Sequence, residues 1–148
     1  STIERLLDMD VERYLLASAL EGIISQKLAR KLCDKCKKLR PTNNYEKNLF
    51  RTVLGLEVGQ VYEPVGCPEC SFGYKGRVAL HEVLLINQDI RDAISNNVSK
   101  EELRNLVYSK DVITMIQDGF YKILAGFTTI TEVLKLIDLD DEIEERKH

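Results

Sequence analysis

The chain has 148 residues, 44 % of them apolar and 30 % charged, with a net charge of −3. This is the make-up of an ordinary globular protein with one good core and room for a small subdomain. No apolar run approaches the ~20 residues of a membrane-spanning helix, and Ser1 to Asp10 lacks the basic start and apolar stretch of a secretory leader. The charge is unevenly spread. Asp138 to His148 carries six acids against Arg146 and Lys147, so residues 1–137 balance to about +1, and the acidic end reads as a solvated, disordered tail.

In chain order, Ser1-x-x-Glu4 predicts a capping box for a short helix through Met9, and Asp10 caps a second from Val11 to about Leu20. Gly22 punctuates. Ile23 to Arg30 suits either helix or strand, and a strand leading into Cys33 is favoured. Tyr45 to Leu54 reads as an amphipathic helix closed by Gly55, and Val61-Tyr62-Glu63 as a short strand before Pro64. Arg77 to Ile86 is rich in apolar residues and reads as a strand, with His81 expected in the core and given no ligand role. Beyond it the chain turns helical. Asn87 caps a helix through Ser95, Ser99-x-x-Glu102 boxes one to about Ser109, Thr114 to Ala125 forms a third before Gly126, and Thr129-x-x-Glu132 boxes Ile130 to Ile137.

All four cysteines lie in two pairs, Cys33-Asp-Lys-Cys36 and Cys67-Pro-Glu-Cys70, separated by 30 residues. A two-residue gap lets one tight turn offer two thiolates, and two such turns complete a tetrahedral zinc site with no ligand left over. The separation exceeds the ribbon spacing of about 15–20 residues, so folded structure is expected between the knuckles. A thioredoxin-like redox pair and two structural disulfides are the competing readings. The first needs only one Cys-x-x-Cys, and the second closes loops too small to constrain the chain. Thiolate-bound metal suits a reducing, cytosolic setting.

Seven cations between Lys27 and Arg40 face the single acid Asp34. Such a run can bind nucleic acid, but no aromatic is interleaved for stacking, and a four-thiolate zinc site leaves a charge of −2 for cations to offset. There is no phosphate loop and no Gly-x-Gly-x-x-Gly, and with only His81 and His148 no hydrolytic triad can be assembled. The residues read as a metal-stapled α/β (α+β) module without a catalytic centre of its own.

Cys67-Pro-Glu-Cys70, Gly73-Tyr74-Lys75-Gly76-Arg77 and His81-Glu82-Val83-Leu84 together resemble the tetracysteine region of the ATPases that drive type IV pilus assembly and type II secretion. Gln26 to Cys33 resembles that family's Gln-Arg-Leu-x-Arg-x-Leu-Cys. Asp118-Gly119-x-x-Lys122, Gly126-Phe127-Thr128-Thr129 and Glu132-Val133 resemble its closing block, and Ile3 to Met9 the segment after its histidine box. The likeness spans about Thr2 to Ile137. Lys27 departs from the usual arginine, and the stretch from Cys70 to Gly73 is one residue shorter than common versions.

The resemblance implies the C-terminal portion of a RecA-like, hexameric motor ATPase. Residues 1–32 would end the ATPase core, 33–76 form the tetracysteine subdomain, 77–137 a strand and helical domain, and 138–148 the tail. It implies structural zinc on Cys33, Cys36, Cys67 and Cys70, with ATP and Mg handled only upstream in the full-length parent, so the piece alone is expected to be inactive. Implied partners are neighbouring subunits of a homohexamer and an inner-membrane platform protein, at the cytoplasmic face of the membrane, with no nucleic acid. The alternative is a stand-alone zinc-ribbon-like module that binds nucleic acid.

Overall fold

A computed structural model describes residues 22–108 and 112–137. The helices expected before Gly22 and the acidic tail lie outside the described residues. The elements run β1 (Gly22–Leu32), β2 (Lys38–Pro41), α1 (Asn44–Leu54), β3 (Gln60–Glu63), β4 (Tyr74–Leu85), α2 (Gln88–Ser95), α3 (Lys100–Val107), α4 (Met115–Leu124) and α5 (Ile130–Leu136). This is a mixed α/β fold with a helical C-terminal part, as the sequence predicts.

β1 and β4 form a long antiparallel ribbon, with Gly22 opposite Leu85 and Arg30 opposite Arg77. The register shifts between Arg30 and Leu32. An extra residue in a strand reverses which face the next side chains take. Here β1 advances from Arg30 to Leu32 while β4 runs from Arg77 to Tyr74, so the extra residue lies in β4, and past it Leu32 and Cys33 are buried at the first knuckle. β2 and β3 form a second, shorter antiparallel pair, from Lys38 opposite Glu63 to Pro41 opposite Gln60. These two strands and α1 are the folded material that the long spacing between the knuckles requires.

Local capping sets the helices. Asn43 forms a capping box with Glu46 at the start of α1, and Gly55 ends that helix at φ +68, where a side chain would be strained. Asn87, Ser99, Thr114 and Thr129 each accept a backbone N–H of the helix they precede. One core unites α1, β3, β4, α4 and α5 around Phe50 and Phe120, whose rings meet edge to face at 5.2 Å. Truncating either to alanine costs about 3–5 kcal/mol. A second cluster joins the end of β4 to α2 and α3 through Leu84, Ile86, Ile94 and Leu103.

The phase of β4 corrects one expectation. Glu82 is buried and His81 exposed, because Leu80, Glu82, Leu84 and Ile86 share the inner face of the strand. The buried carboxylate is satisfied by the N–H of Met115 at 3.1 Å, at the start of α4.

Candidate metal centre

The first knuckle is a turn after β1, closed by the Lys37 N–H donating to the Cys33 carbonyl at 3.0 Å. The second follows Gly66, whose positive φ of +112 suits a residue without a side chain. The two turns are tied together where the Cys33 N–H donates to the Gly73 carbonyl at 2.9 Å. Gly73 is obligatory there, since a Cβ would lie 2.4 Å from that of Pro64.

The four sulfurs converge. Cys33 and Cys67 stand 3.8 Å apart, Cys36 and Cys70 3.7 Å, and Cys67 and Cys70 3.5 Å. All four Sγ atoms fall within 4.8 Å of one another. Sulfurs at about 2.3 Å from a tetrahedral centre lie about 3.8 Å apart, so this spacing fits zinc. It is far beyond the ~2.05 Å of a disulfide, and all four cysteines are free thiols. Among the described residues no histidine or carboxylate joins the cluster, and neither Cys-x-x-Cys stands apart as a redox pair.

Backbone donors prepare the sulfurs for negative charge. The Gly66 N–H approaches Cys36 Sγ at 3.4 Å and the Cys67 N–H approaches Cys70 Sγ at 3.3 Å. The Lys35 N–H leads the effects that lower the Cys33 thiol to about 7. For Cys67 the Glu69 N–H pulls down, but desolvation and the neighbouring thiols outweigh it and push the group up to about 11. The two values part because four thiols this close cannot all ionise by themselves. A divalent cation removes that conflict and lets every sulfur bind as thiolate.

The basic run is largely spent inside the molecule. Lys31 and Lys37 pair with Asp34 at 3.7 and 3.2 Å, Lys35 with Glu69, and Arg40 with Glu46 and Glu63. Arg30 escapes Arg77 across the ribbon by pairing with Glu132 and lying over the Tyr74 ring. Lys37 reaches further, donating to the Gly126 carbonyl at 3.0 Å and sitting over the Tyr62 ring at 4.7 Å. Beside it, the Leu32 N–H donates to the Phe127 carbonyl at 2.8 Å. Both flanks of the first knuckle thus hold the turn between α4 and α5. Sequence reasoning treated Lys37 only as part of a charge run and missed this role.

The closing motif turns out to be a set of fasteners. Asp118 accepts the His81 N–H at 2.8 Å and Lys122 donates to the Ala79 carbonyl at 2.7 Å, fixing α4 along β4. Gly119 lets α5 approach, since a Cβ there would lie 2.8 Å from Val133 Cγ1. Thr128 donates to the Arg30 carbonyl at 2.8 Å, and the Tyr74 and Thr129 hydroxyls meet at 3.0 Å.

A family model described as Type II/IV secretion system protein matches residues 1–135. Type II secretion system protein E of Pectobacterium carotovorum subsp. carotovorum is 38% identical over 136 residues, covering 90% of this chain and 26% of that protein. Type IV pilus assembly ATPase PilB of Thermus thermophilus is 37% identical over 134 residues, 89% of this chain and 15% of its own length. Type IV pilus assembly ATPase TfpB of Acinetobacter baylyi is 30% identical over 141 residues, 94% and 24% respectively. The chain thus spans about a quarter or less of these curated relatives. The likeness read from the cysteine and closing motifs is sustained along nearly the whole sequence, and the chain belongs to the type II/IV secretion system protein family.

Proposed function

We propose that this chain is the metal-braced C-terminal part of a hexameric motor ATPase that powers type IV pilus assembly or type II secretion. In this reading Cys33, Cys36, Cys67 and Cys70 hold one zinc ion, whose contribution is a rigid four-way crosslink with no coordination position left for catalysis. Nucleotide chemistry, with its ATP and Mg, belongs upstream. Residues 1–32 would complete the ATPase core, 33–76 form the braced subdomain and 77–137 the helical part, working at the cytoplasmic face of the membrane beside neighbouring subunits and a platform protein. No helix among the described residues is long and apolar enough to cross a membrane.

The observation that carries this reading is the bonding of the first knuckle to the α4–α5 turn through Leu32 and Lys37. A brace wired into a helical domain can pass on a rigid displacement as nucleotide turns over elsewhere. The nucleic-acid alternative loses its footing, because Lys31, Lys35, Lys37 and Arg40 are engaged by acids of the same chain.

Cys36→Ser/Cys70→Ser in the full-length parent provides the test. The expected result is lost secretion or pilus assembly with nucleotide binding retained. Normal assembly by a zinc-free double variant would contradict the proposal.

A further inference from the structure

The two knuckles are not equally protected. Cys33 is 2% exposed, with its N–H donating to Gly73 and its carbonyl accepting from Lys37. Cys67 and Cys70 are half-buried, and their neighbours Val65, Gly66, Pro68, Glu69, Ser71 and Phe72 are all exposed. A small molecule in solution therefore meets sulfur first at the second knuckle.

Geometry separates the possible sulfur pairs as well. Cys67 and Cys70 Sγ stand 3.5 Å apart, against 3.7 and 3.8 Å for the pairs that join the knuckles. The Cys70 N–H donates to the Cys67 carbonyl at 3.3 Å. That bond closes a four-residue turn, whose end Cα atoms lie within about 7 Å, the span a disulfide bridges. The first knuckle closes one residue later, by the bond from Lys37 to Cys33. A bond between knuckles would have to draw together two turns whose spacing is set by the Cys33–Gly73 hydrogen bond and the β1–β4 ribbon. A bond from Cys67 to Cys70 asks only for adjustment within one exposed turn.

We propose that hydrogen peroxide oxidises Cys67 and Cys70 to a disulfide, which releases the zinc and frees the second knuckle. The proposal rests on the reading of the four cysteines as a zinc site, and it places the redox chemistry in the ligands themselves. One thiolate of the pair attacks a peroxide oxygen; the O–O bond breaks, hydroxide leaves and the sulfur becomes a sulfenic acid. The other thiolate attacks that sulfur, the S–S bond forms and a second hydroxide leaves. Two protons from solvent turn both hydroxides into water. The sulfurs have then lost two electrons and the peroxide has gained them. Cys33 and Cys36 alone are too few to hold the ion tightly. Peroxide suits the site because it is small and uncharged, whereas an anionic oxidant would meet the exposed Glu69 and the −2 charge of a four-thiolate centre.

The exchange changes the mechanics. A disulfide inside one Cys-x-x-Cys closes too small a loop to constrain the chain, whereas four thiolates on one ion crosslink both knuckles. The first knuckle keeps its bonds to the α4–α5 turn through Leu32 and Lys37. The second is then tied to the first by the exposed Lys35–Glu69 ion pair and the single bond from the Cys33 N–H to Gly73. Oxidation thus disconnects the second knuckle and leaves the helical part intact.

Treating the reduced, zinc-loaded chain with hydrogen peroxide tests this. A chromogenic chelator follows the metal, and peptide mass spectrometry after blocking of free thiols maps the disulfides. Release of one zinc per peroxide consumed is expected, with Cys67 joined to Cys70 and with Cys33 and Cys36 recovered as free thiols. In the oxidised chain the Cys33 amide should exchange hydrogen at least about 10-fold faster, while the Leu32 amide stays protected. A dithiol reductant with added zinc should reverse both changes. Zinc retained in excess peroxide, a dominant disulfide that includes Cys33 or Cys36, or unchanged exchange at the Cys33 amide would each overturn the proposal. So would zinc loss through sulfonic acids that no dithiol reverses. A chain that holds no zinc before peroxide is added would overturn the zinc reading and this proposal together, which keeps the two failures distinguishable.

Discussion

At the scale of single residues, Glu132 shows how one carboxylate fastens α5 to β1. It accepts from the Arg30 guanidinium at 2.7 and 3.1 Å, from the Arg30 backbone N–H at 3.3 Å and from Lys135 at 3.2 Å, while its side chain stays 7% exposed. The Arg30 hydrogen bond, working against burial, holds its pKa below the ordinary 4.5. A folded value below the unfolded one gives stability that is full above the ordinary value and fades as pH falls through the lowered one. Arg30 is half exposed, so the Coulomb part is screened, and Glu132→Gln should cost about 1–2 kcal/mol at neutral pH. The gap between wild type and variant should narrow in denaturant titrations as pH falls below the ordinary 4.5 and through the lowered value. Loss of any metal from the thiols in acid would act on both proteins alike, so a gap that persists there would refute the assignment. The sequence predicts a capping box at Thr129-x-x-Glu132, and half of it forms: Thr129 accepts the Glu132 N–H, but the carboxylate turns to Arg30. Spacing announces the cap. A partner 102 residues away leaves no local sign.

At the scale of elements, the strands and helices expected from Ile23 onward are present, and the departures share a cause. β2 went unread because Lys38-Leu39-Arg40-Pro41 is short and polar and has no local pattern; its strand character comes from pairing with β3. The sequence points His81 to the core because an apolar run does not declare its phase. The phase is set by β1 across the ribbon and by the α4 N-terminus waiting for Glu82. Gly119 lies mid-helix, where alanine would gain up to about 1 kcal/mol of propensity. Its Cβ would collide with Val133, and overpacking costs about 1–3 kcal/mol, so packing wins. Gly119→Ala should therefore destabilise by about 1–2 kcal/mol in thermal or urea unfolding, and a stabilised variant would show that α5 is free to shift. Lys37→Met keeps the aliphatic stem over Tyr62 but removes the bonds to Gly126 and Asp34. We expect faster hydrogen exchange at the Leu32 amide, which donates to Phe127, with metal retained. Unchanged exchange would mean that the knuckle and the α4–α5 turn are not coupled.

For the whole molecule, the cysteine cluster is where the sequence was most informative and the fold most dependent on distant parts. The paired spacing identified all four thiols, and Gly73, Gly126 and Thr128 in the motifs marked where the backbone must pass closely. What spacing could not reveal was the wiring from the knuckles into the helices, because those bonds join segments far apart in the chain. Free thiols at this separation resist joint ionisation, so metal binding should release protons and weaken as pH falls. Chelation should loosen β2, β3 and the turn after Cys70 before it unfolds the Phe50–Phe120 core. X-ray absorption on the reduced, zinc-loaded chain, with metal content measured on the same sample, tests the central claim most directly. One zinc per chain with four sulfur ligands at about 2.3 Å is expected. Nitrogen or oxygen ligands in the first shell, or substantially less than one ion per chain, would contradict it.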